Sequence, residues 1–175
     1  MAILKEIVTK AVIGKAKKNI IEELIIDSDI EIDTVLGCWV INHTFTGDEE
    51  TGKVTVDGSY DINVWYAYEN NTKTDVLVQS FIYREQINVN KKAESLIEDK
   101  NEVIIRCLKV PTVSNAEIVD KKIKLKVEKE LGVEIVGDMK VRINVLEDYD
   151  DYEEDIDPKE IDIEIKEDYI GDVNQ

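Results

Sequence analysis

The sequence predicts an all-β fold with at most one short N-terminal helix. The expected architecture is an antiparallel β-sandwich or a partly closed barrel, followed by an acidic C-terminal tail. Apolar side chains recur at every second position through most of residues 36–146, which is the period of a half-buried strand. Clusters of turn residues, such as TGDEETG and ENNTK, separate these runs. Short strands joined by such turns are typical of sandwiches and barrels.

The N-terminal segment KEIVTKAVIGKAKK (residues 5–18) fits two periods. Ile7, Val8 and Ala11 fall at helical spacing, whereas the alternation that begins at Ile7 would equally suit a strand. We predict a short helix here. Further along, KKAESLIEDKNE (residues 91–102) could form one or two helical turns before the next strand.

The first predicted strand contains CWVINHTF, along which Trp39, Ile41 and His43 should share one face. The loop TGDEETG predicts a hairpin into a second strand, VDGSYDINVWYAY (residues 56–68). Gly58 interrupts the alternation of this second strand, which predicts a bulge or a bend there.

Further strands are predicted from TDVLVQSFIYREQINV, EVIIRCLKV, AEIV, KIKLKVEKELGVEIV and MKVRINVL. Gly132 is a second candidate bulge, and VGD at 136–138 a tight turn. Lys122, Lys124 and Lys126 alternate with apolar residues. This pattern favours the solvated face of a half-buried strand over a nucleic-acid patch.

The aromatic segment YDINVWYAY (residues 60–68) has two different faces when it is read as a strand. One face, predicted to be mainly core, carries Tyr60, Ile62, Val64, Tyr66 and Tyr68. The other carries Asp61, Asn63 and Trp65. Trp65 could make a contact between subunits, or a second packed sheet could cover it.

The overall charge limits the classes of partner. The chain has 22 Lys and Arg against 39 Asp and Glu, a formal charge of -17 at pH 7. This argues against binding to nucleic acid or to an anionic membrane surface. No apolar run reaches the roughly 18 residues of a membrane span, and the N-terminus lacks the pattern of a secretory signal. We expect the protein to stay in the cytoplasm of the cell that makes it.

The charge is concentrated at the C-terminus. Residues 147–175 hold 14 acids and 2 lysines, a net of -12, which leaves 25 acids and 20 bases, a net of -5, for residues 1–146. We therefore divide the chain into a β-rich body (1–146) and an acidic tail (147–175). Within the tail, Ile161, Ile163 and Ile165 alternate and predict one strand.

The residues that catalysis would need are scarce. The only histidine is His43, and Cys38, five positions earlier, should point to the opposite face of the strand. Cys38 and Cys107 lie in apolar runs, where cysteine is usually a small buried side chain, although one bridge between them stays open. No phosphate-binding glycine motif occurs, and the acidic segment does not match a calcium-binding loop. We predict no enzyme, no cofactor and no metal site.

Several motifs in one order resemble a known family. They are KEIVTKAVIGKAKK, LGCWVINH, VDGSYDINVWYAY and NTKTDV, followed by ELGVEIVGDMKVRINV and an acidic tail with a YIGD stretch. Together they resemble the outer spore coat morphogenetic protein E (CotE) family of endospore-forming bacteria. The resemblance implies a non-enzymatic scaffold, made in the mother-cell cytoplasm and then located in the outer coat at the spore surface.

The resemblance also implies partners and regions. Such a protein forms a homo-oligomer, recruits other spore coat proteins and depends on a basement-layer morphogenetic ATPase for placement. By matching motif, self-assembly would involve Trp39, Asp61, Asn63, Trp65, Tyr66 and Tyr68. Recruitment would involve Asp148, Tyr149, Asp150, Asp151, Tyr152, Glu153, Glu154 and Asp155. Targeting would involve Lys5, Lys10, Lys15, Lys17 and Lys18.

Two other functions stay open. One is a monomeric ligand-binding β-module, with glycans as one candidate ligand, in which Trp65, Tyr66, Asp61 and Asn63 line an open cleft. The other is a metal-dependent enzyme, which would require His43, Cys38 and Cys107 to converge on one point.

Overall fold

The structure of the chain is a computed structural model that describes residues 3–92 and 101–145. These residues form strands and turns, without a helix, so the predicted all-β class is confirmed. The strands are β1 (Ile3–Ile26), β2 (Ile32–Glu50), β3 (Lys53–Tyr68), β4 (Lys73–Asn88), β5 (Glu102–Val119) and β6 (Lys122–Val145). The chain divides into two compact units, of which Glu6–Ile143 holds the core. The other unit is Met1–Lys5 with Asn144–Gln175, where only the ends of β1 and β6 are described.

The strands form two antiparallel sheets. The first sheet has the order β1-β6-β5 and the second sheet the order β2-β3-β4. Thr51 and Gly52, with φ angles of 51° and 81°, make the two-residue turn between β2 and β3. Asp120 and Lys121, with φ angles of 50° and 66°, make the corresponding turn between β5 and β6. Positive φ at the turn residues matches the right-handed twist of the flanking strands.

The core lies between the two sheets and is built on their central strands. From β3 it takes Val54, Val56, Tyr60, Ile62, Val64 and Tyr66, and from β6 Ile123, Leu125, Val127, Leu131, Val133 and Ile135. All are buried in one cluster, so the predicted antiparallel sandwich is confirmed and the sheets do not close into a barrel. The predicted alternation of apolar residues and lysines at the start of β6 is confirmed as well.

The predicted N-terminal helix is wrong, because residues 5–18 belong to strand β1. Ile13 and Ile20 are buried in the core, while Lys15 is exposed and forms an ion pair of 2.9 Å with Glu134 on β6. The local sequence fits a helix and a strand equally well, and pairing with β6 therefore determines that this segment is a strand. Of the predicted turns in residues 91–102, residues 93–100 lie outside the described part of the chain.

The two candidate bulges at glycines are also wrong. Gly58 pairs in regular register with Phe45 on β2 and Tyr83 on β4. Gly132 pairs with Arg106, and the irregularity lies in the partner strand β5, at Leu108. There is no tight turn at 136–138 either, since β6 continues to Val145. Both glycines leave room for a neighbouring side chain, that of Tyr83 at Gly58 and that of Leu108 at Gly132. A glycine within a strand can mark either such a close contact or a bulge, and the sequence alone does not tell which.

Candidate functional site

A bulge in β2 determines which of its side chains face the core. The pairing with β3 shifts register between Ile41 and Thr44, and Asn42 has a φ of 55°. Asparagine tolerates this left-handed conformation better than other non-glycine residues. As a result Trp39 lies on the outer face of the sheet, whereas His43 contacts the core tyrosines. The expectation that His43 shares a face with Trp39 and opposes Cys38 is therefore wrong.

The outer surface of the second sheet carries a group of exposed apolar residues, which we call the outer apolar face. Its members are Leu36, Trp39, Ile41, Trp65, Val76 and Val78. The exposed fractions of Trp39, Trp65 and Val78 are 42%, 44% and 60%. Strand pairing brings members of the group next to one another. Trp65 on β3 pairs with Val76 on β4, and Asn63, two positions before Trp65, pairs with Trp39 on β2 and with Val78 on β4. Apolar groups of this kind mark interaction sites on soluble proteins.

Asn63 is the polar residue at the centre of the outer apolar face. Trp39 and Val78 flank it directly on the two neighbouring strands, and only 9% of its surface is exposed. Its Oδ1 atom is buried without a hydrogen-bond partner. A buried amide oxygen is costly to leave unpaired, so this atom can accept a hydrogen bond from a donor brought to the surface.

Asp61 adds a polar edge to the same surface. Asn42 Nδ2 donates a hydrogen bond of 2.8 Å to Oδ2 of Asp61, and the Ser80 hydroxyl donates another to Oδ1. These two bonds, the one from Ser80 first, lower the pKa of the Asp61 carboxyl. Asp61 is therefore ionised at neutral pH and links β2, β3 and β4 at the edge of the apolar group.

The first sheet carries rows of ion pairs on its outer surface, beside exposed apolar side chains such as Ile21 and Ile25 of β1. Its ion pairs include Lys15 with Glu134, Lys17 with Glu130, Lys109 with Glu128, Lys122 with Asp27 and Lys124 with Glu23. Most of these pairs join neighbouring strands, and in each the lysine is exposed to solvent, so each contributes little to stability. They do balance the charge of this face, which suits contact with water.

The lysines expected to act in targeting are spread along β1. Lys5 and Lys10 are exposed. Lys15 and Lys17 belong to the outer surface of the first sheet, whereas Lys18 forms an ion pair of 2.8 Å with Glu85 on β4. Lys15 and Lys17 thus point outward from the first sheet, whereas Lys18 reaches β4 of the second sheet.

The remaining expected residues fall elsewhere. Tyr66 is buried in the core, as predicted, and its ring lies 5.8 Å from that of the partly buried Tyr68. Both face away from Trp65, so Tyr66 cannot line one cleft with Asp61, Asn63 and Trp65, and the glycan-binding arrangement does not form. The eight residues expected to recruit partners, 148–155, lie outside the described residues.

A group of polar side chains lies between the sheets. Lys129 is completely buried, and its Nζ lies 2.7 Å from Glu22 Oε1 without the alignment of a good hydrogen bond. Tyr60 donates a hydrogen bond of 3.0 Å to the other Glu22 oxygen. The ammonium also lies over the ring of Tyr83, 4.1 Å from its centre. Burial, followed by the charge of Glu22, raises the pKa of Tyr60, and burial raises that of Tyr83 to about 12.

Lys129 was not identified from the sequence, although a signal was present. It occupies the same alternating position as Ile123, Leu125 and Val127, so the pattern would have placed it in the core. A lysine in a run of core positions is uncommon, because burial of an ammonium is costly unless it is paired.

His43 and Cys107 meet at one side of this group. The Tyr83 hydroxyl is hydrogen-bonded to His43 Nε2 at 2.8 Å, and Cys107 Sγ lies 3.8 Å from Nδ1. Burial and the nearby charge of Lys129 lower the pKa of His43, and burial raises the pKa of Cys107. At neutral pH both groups are therefore uncharged, which is the opposite of an activated thiolate and imidazolium pair.

The cysteines also do not form a metal site with His43. Both are free thiols, and Cys38 packs against the core. Among the residues that the structure describes, no group of three or more His, Cys, Asp or Glu side chains could hold a metal ion. The convergence required for a metal-dependent enzyme is not found in this part of the chain.

Comparison with known proteins gives one match. The model of the family described as outer spore coat protein E (CotE) matches residues 3–175. A search of curated proteins and a search of solved structures found no match. Within the described ranges, no helix is long and apolar enough to cross a membrane. Because the match extends over essentially the whole chain, the protein belongs to the outer spore coat protein E (CotE) family.

Proposed function

We propose that this outer spore coat protein is a non-enzymatic scaffold that self-associates and recruits other coat proteins. Family membership supports the location in the coat. The single observation that supports self-association is the outer apolar face, on which two tryptophans and four aliphatic residues are exposed side by side.

The apolar composition of this face supplies the driving force for association. Burial of apolar surface contributes roughly 25 cal/mol per Å², and tryptophan is enriched among the residues that dominate binding energies. Trp39 and Trp65 lie near the middle of the group, and Asp61 lies at its edge. An apolar centre with a polar edge is the usual anatomy of a protein–protein interface.

A second copy of this chain is the partner that we propose for the face. In a two-fold symmetric contact the same surface is present on both sides, so it must tolerate its own charges. The six residues of the outer apolar face include no ionisable group. Two copies could therefore bring their tryptophans together without opposing like charges at the centre, despite the net negative charge of the chain.

The other regional functions are proposals from family membership. Residues 147–175, including 148–155, would recruit other coat proteins, because an acidic segment attracts basic partners. The β1 lysines Lys5, Lys10, Lys15, Lys17 and Lys18 would act in targeting, through a basement-layer morphogenetic ATPase. The protein would be made in the mother cell and then move to the spore surface.

Self-association is tested by light scattering on the full chain across a concentration and salt series. We expect a dimer or larger species whose formation survives high salt, because apolar contact is not screened. The Trp65→Ala variant should weaken association roughly tenfold or more, as for a central interface residue. The control is Ile21→Ala, which removes an exposed apolar side chain from β1. A chain that is monomeric at every concentration, or equal association of both variants, would contradict the proposal.

A further inference from the structure

We propose that β4 is a strand-pairing edge, at which β4 of a second copy adds antiparallel to the second sheet. This contact would produce a continuous six-stranded sheet from two copies. It is separate from the outer apolar face and could form without it. Together the two contacts would let the proposed scaffold grow beyond a dimer.

The first argument is that β4 lacks the features that usually protect an edge. The sheet orders leave β1, β5, β2 and β4 as edge strands. The pairing of β2 with β3 contains three register shifts, and that of β5 with β6 contains three as well, near Pro111. Charged residues occur along the length of β1. Bulges, proline and charge are the devices by which proteins avoid edge-to-edge association.

In contrast, β4 is regular and uncharged at its centre. It pairs with β3 from Lys73 to Asn88 without any register shift. Its central segment VLVQSFIY (residues 76–83) has no charged residue, glycine or proline. Its outer apolar side chains Val76, Val78 and Ile82 are 43%, 60% and 89% exposed. Among the described strands only β3 pairs with β4, so within the described residues its other edge has no strand partner.

The extent of the available edge can be bounded. After β4 ends, Lys92 donates a backbone hydrogen bond to Ile13, and Lys91 forms a bridge with Gly14 on β1. Nearer the middle of β4, the Lys18 ammonium donates a hydrogen bond to the backbone carbonyl of Gln86. β1 therefore covers the edge from about Gln86 onward, and the stretch before it is the part that a second copy could reach.

The sequence of β4 is complementary to itself in one register. If the two-fold axis passes through Gln79, the antiparallel pairs include Val76 with Ile82 and Leu77 with Phe81, so that apolar residues meet on both faces. Because of the two-fold symmetry each of these pairs occurs twice. Paired residues lie on the same face of the sheet, so the inner faces of the two copies are continuous and so are the outer faces. A register centred on Ser80 would instead place Asp75 opposite Glu85, which is unfavourable. We therefore assign the axis to Gln79.

The test uses the symmetry of this register. The Gln79 side chain is exposed, so Gln79→Lys and Gln79→Glu should both fold, which circular dichroism would verify. In each variant the two substituted residues face each other with like charge. We expect each variant alone to dimerise roughly tenfold or more weakly, and an equimolar mixture of the two to recover association as a heterodimer. The full-length Trp65→Ala chain is the background, so that the outer apolar face does not contribute.

The control and the contrary outcomes are equally specific. Asn115→Lys adds the same charge to an exposed position on β5 and should leave association unchanged. The proposal is overturned if the Trp65→Ala background is monomeric, if either Gln79 variant associates as strongly as the background, or if mixing restores nothing. Loss of association on Trp65→Ala alone, with no effect of Gln79 variants in the wild-type chain, would support the face and exclude the edge.

Discussion

Tyr83 on β4 reaches His43 on β2 across the intervening strand, with 2.8 Å between its hydroxyl oxygen and His43 Nε2. The ring can cross β3 because the residue beneath it is Gly58. This bond joins the two edge strands of the second sheet on its inner face. It also holds Tyr83 where its ring meets the ammonium of Lys129 from the first sheet.

The first prediction concerns Gly58. A Cβ atom at this position would lie 2.3 Å from the Tyr83 ring, so Gly58→Ala must displace the ring and its bond to His43. We expect a loss of about 1–3 kcal/mol in the free energy of unfolding, measured by urea denaturation. Gly37→Ala is the matched control, because nothing lies within 4 Å of its added methyl group. Equal stability of the two variants would show that the Tyr83 ring can adopt another position at no cost in stability.

The second prediction concerns the buried ion pair. Glu22→Gln leaves the completely buried Lys129 ammonium without its counter-charge, whereas Lys129→Met leaves a carboxylate that is partly exposed and still accepts a bond from Tyr60. We therefore expect Glu22→Gln to cost about 3 kcal/mol and Lys129→Met clearly less. Urea denaturation of both variants measures the difference. A larger loss of stability for Lys129→Met than for Glu22→Gln would contradict this prediction. It would mean that the unpaired Glu22 carboxylate is more costly in the folded chain than the unpaired Lys129 ammonium.

The third prediction concerns pH. His43 has a lowered pKa in the folded chain, caused by burial first and by Lys129 second, so the unfolded chain takes up the proton at higher pH. Below the ordinary histidine pKa of about 6.5 the unfolded state therefore binds more protons, and the stability supplied by neutral His43 declines as the pH falls towards the lowered pKa of the folded chain.

This decline is measured as the difference in unfolding free energy between the wild-type chain and His43→Gln at pH 7.5 and 5.5, two values roughly one unit either side of the histidine midpoint. Carboxylates common to both chains cancel in the comparison. We expect the wild-type chain to lose more stability than the variant on acidification. A difference that does not change with pH would argue against a buried neutral imidazole.

The fourth prediction concerns the bulge in β2. Asn42 has a φ of 55°, a conformation in which a β-branched side chain is strained. Asn42→Val should therefore lower the unfolding free energy by about 1–3 kcal/mol, whereas Asn42→Gly should cost less because glycine accepts this φ. Both variants lose the bond to Asp61, so the comparison isolates the backbone. Similar costs for valine and glycine would place the effect in the lost hydrogen bond instead.

The sequence predicted the strands where alternation and burial agree. The inner face of β3, with Tyr60, Ile62 and Val64, follows directly from a period of two, and the outer position of Trp65 follows with it. These positions depend only on the local pattern and on one buried side of the sheet.

The errors arose where one local feature or a distant strand changed the outcome. At Asn42 a single left-handed residue reverses the faces of β2, so His43 enters the interior although its apolar pattern predicts otherwise. In β1 the choice between helix and strand depended on pairing with β6. Gly58 appears as an interruption in the sequence, but in the folded chain a ring from β4 occupies its place. Such effects depend on contacts between residues far apart in the chain.

The two outer faces differ in composition, and this difference bears on which sides of an assembled pair would face water. The first sheet turns paired charges outward, and the second sheet turns tryptophan and aliphatic groups outward. When two copies meet through their outer apolar faces as proposed, the two first sheets form the exterior sides of the pair. A third copy would then meet ion pairs and exposed aliphatic side chains such as Ile21 and Ile25, and no second tryptophan-bearing face among the described residues, so we expect growth sideways to be favoured over growth in thickness.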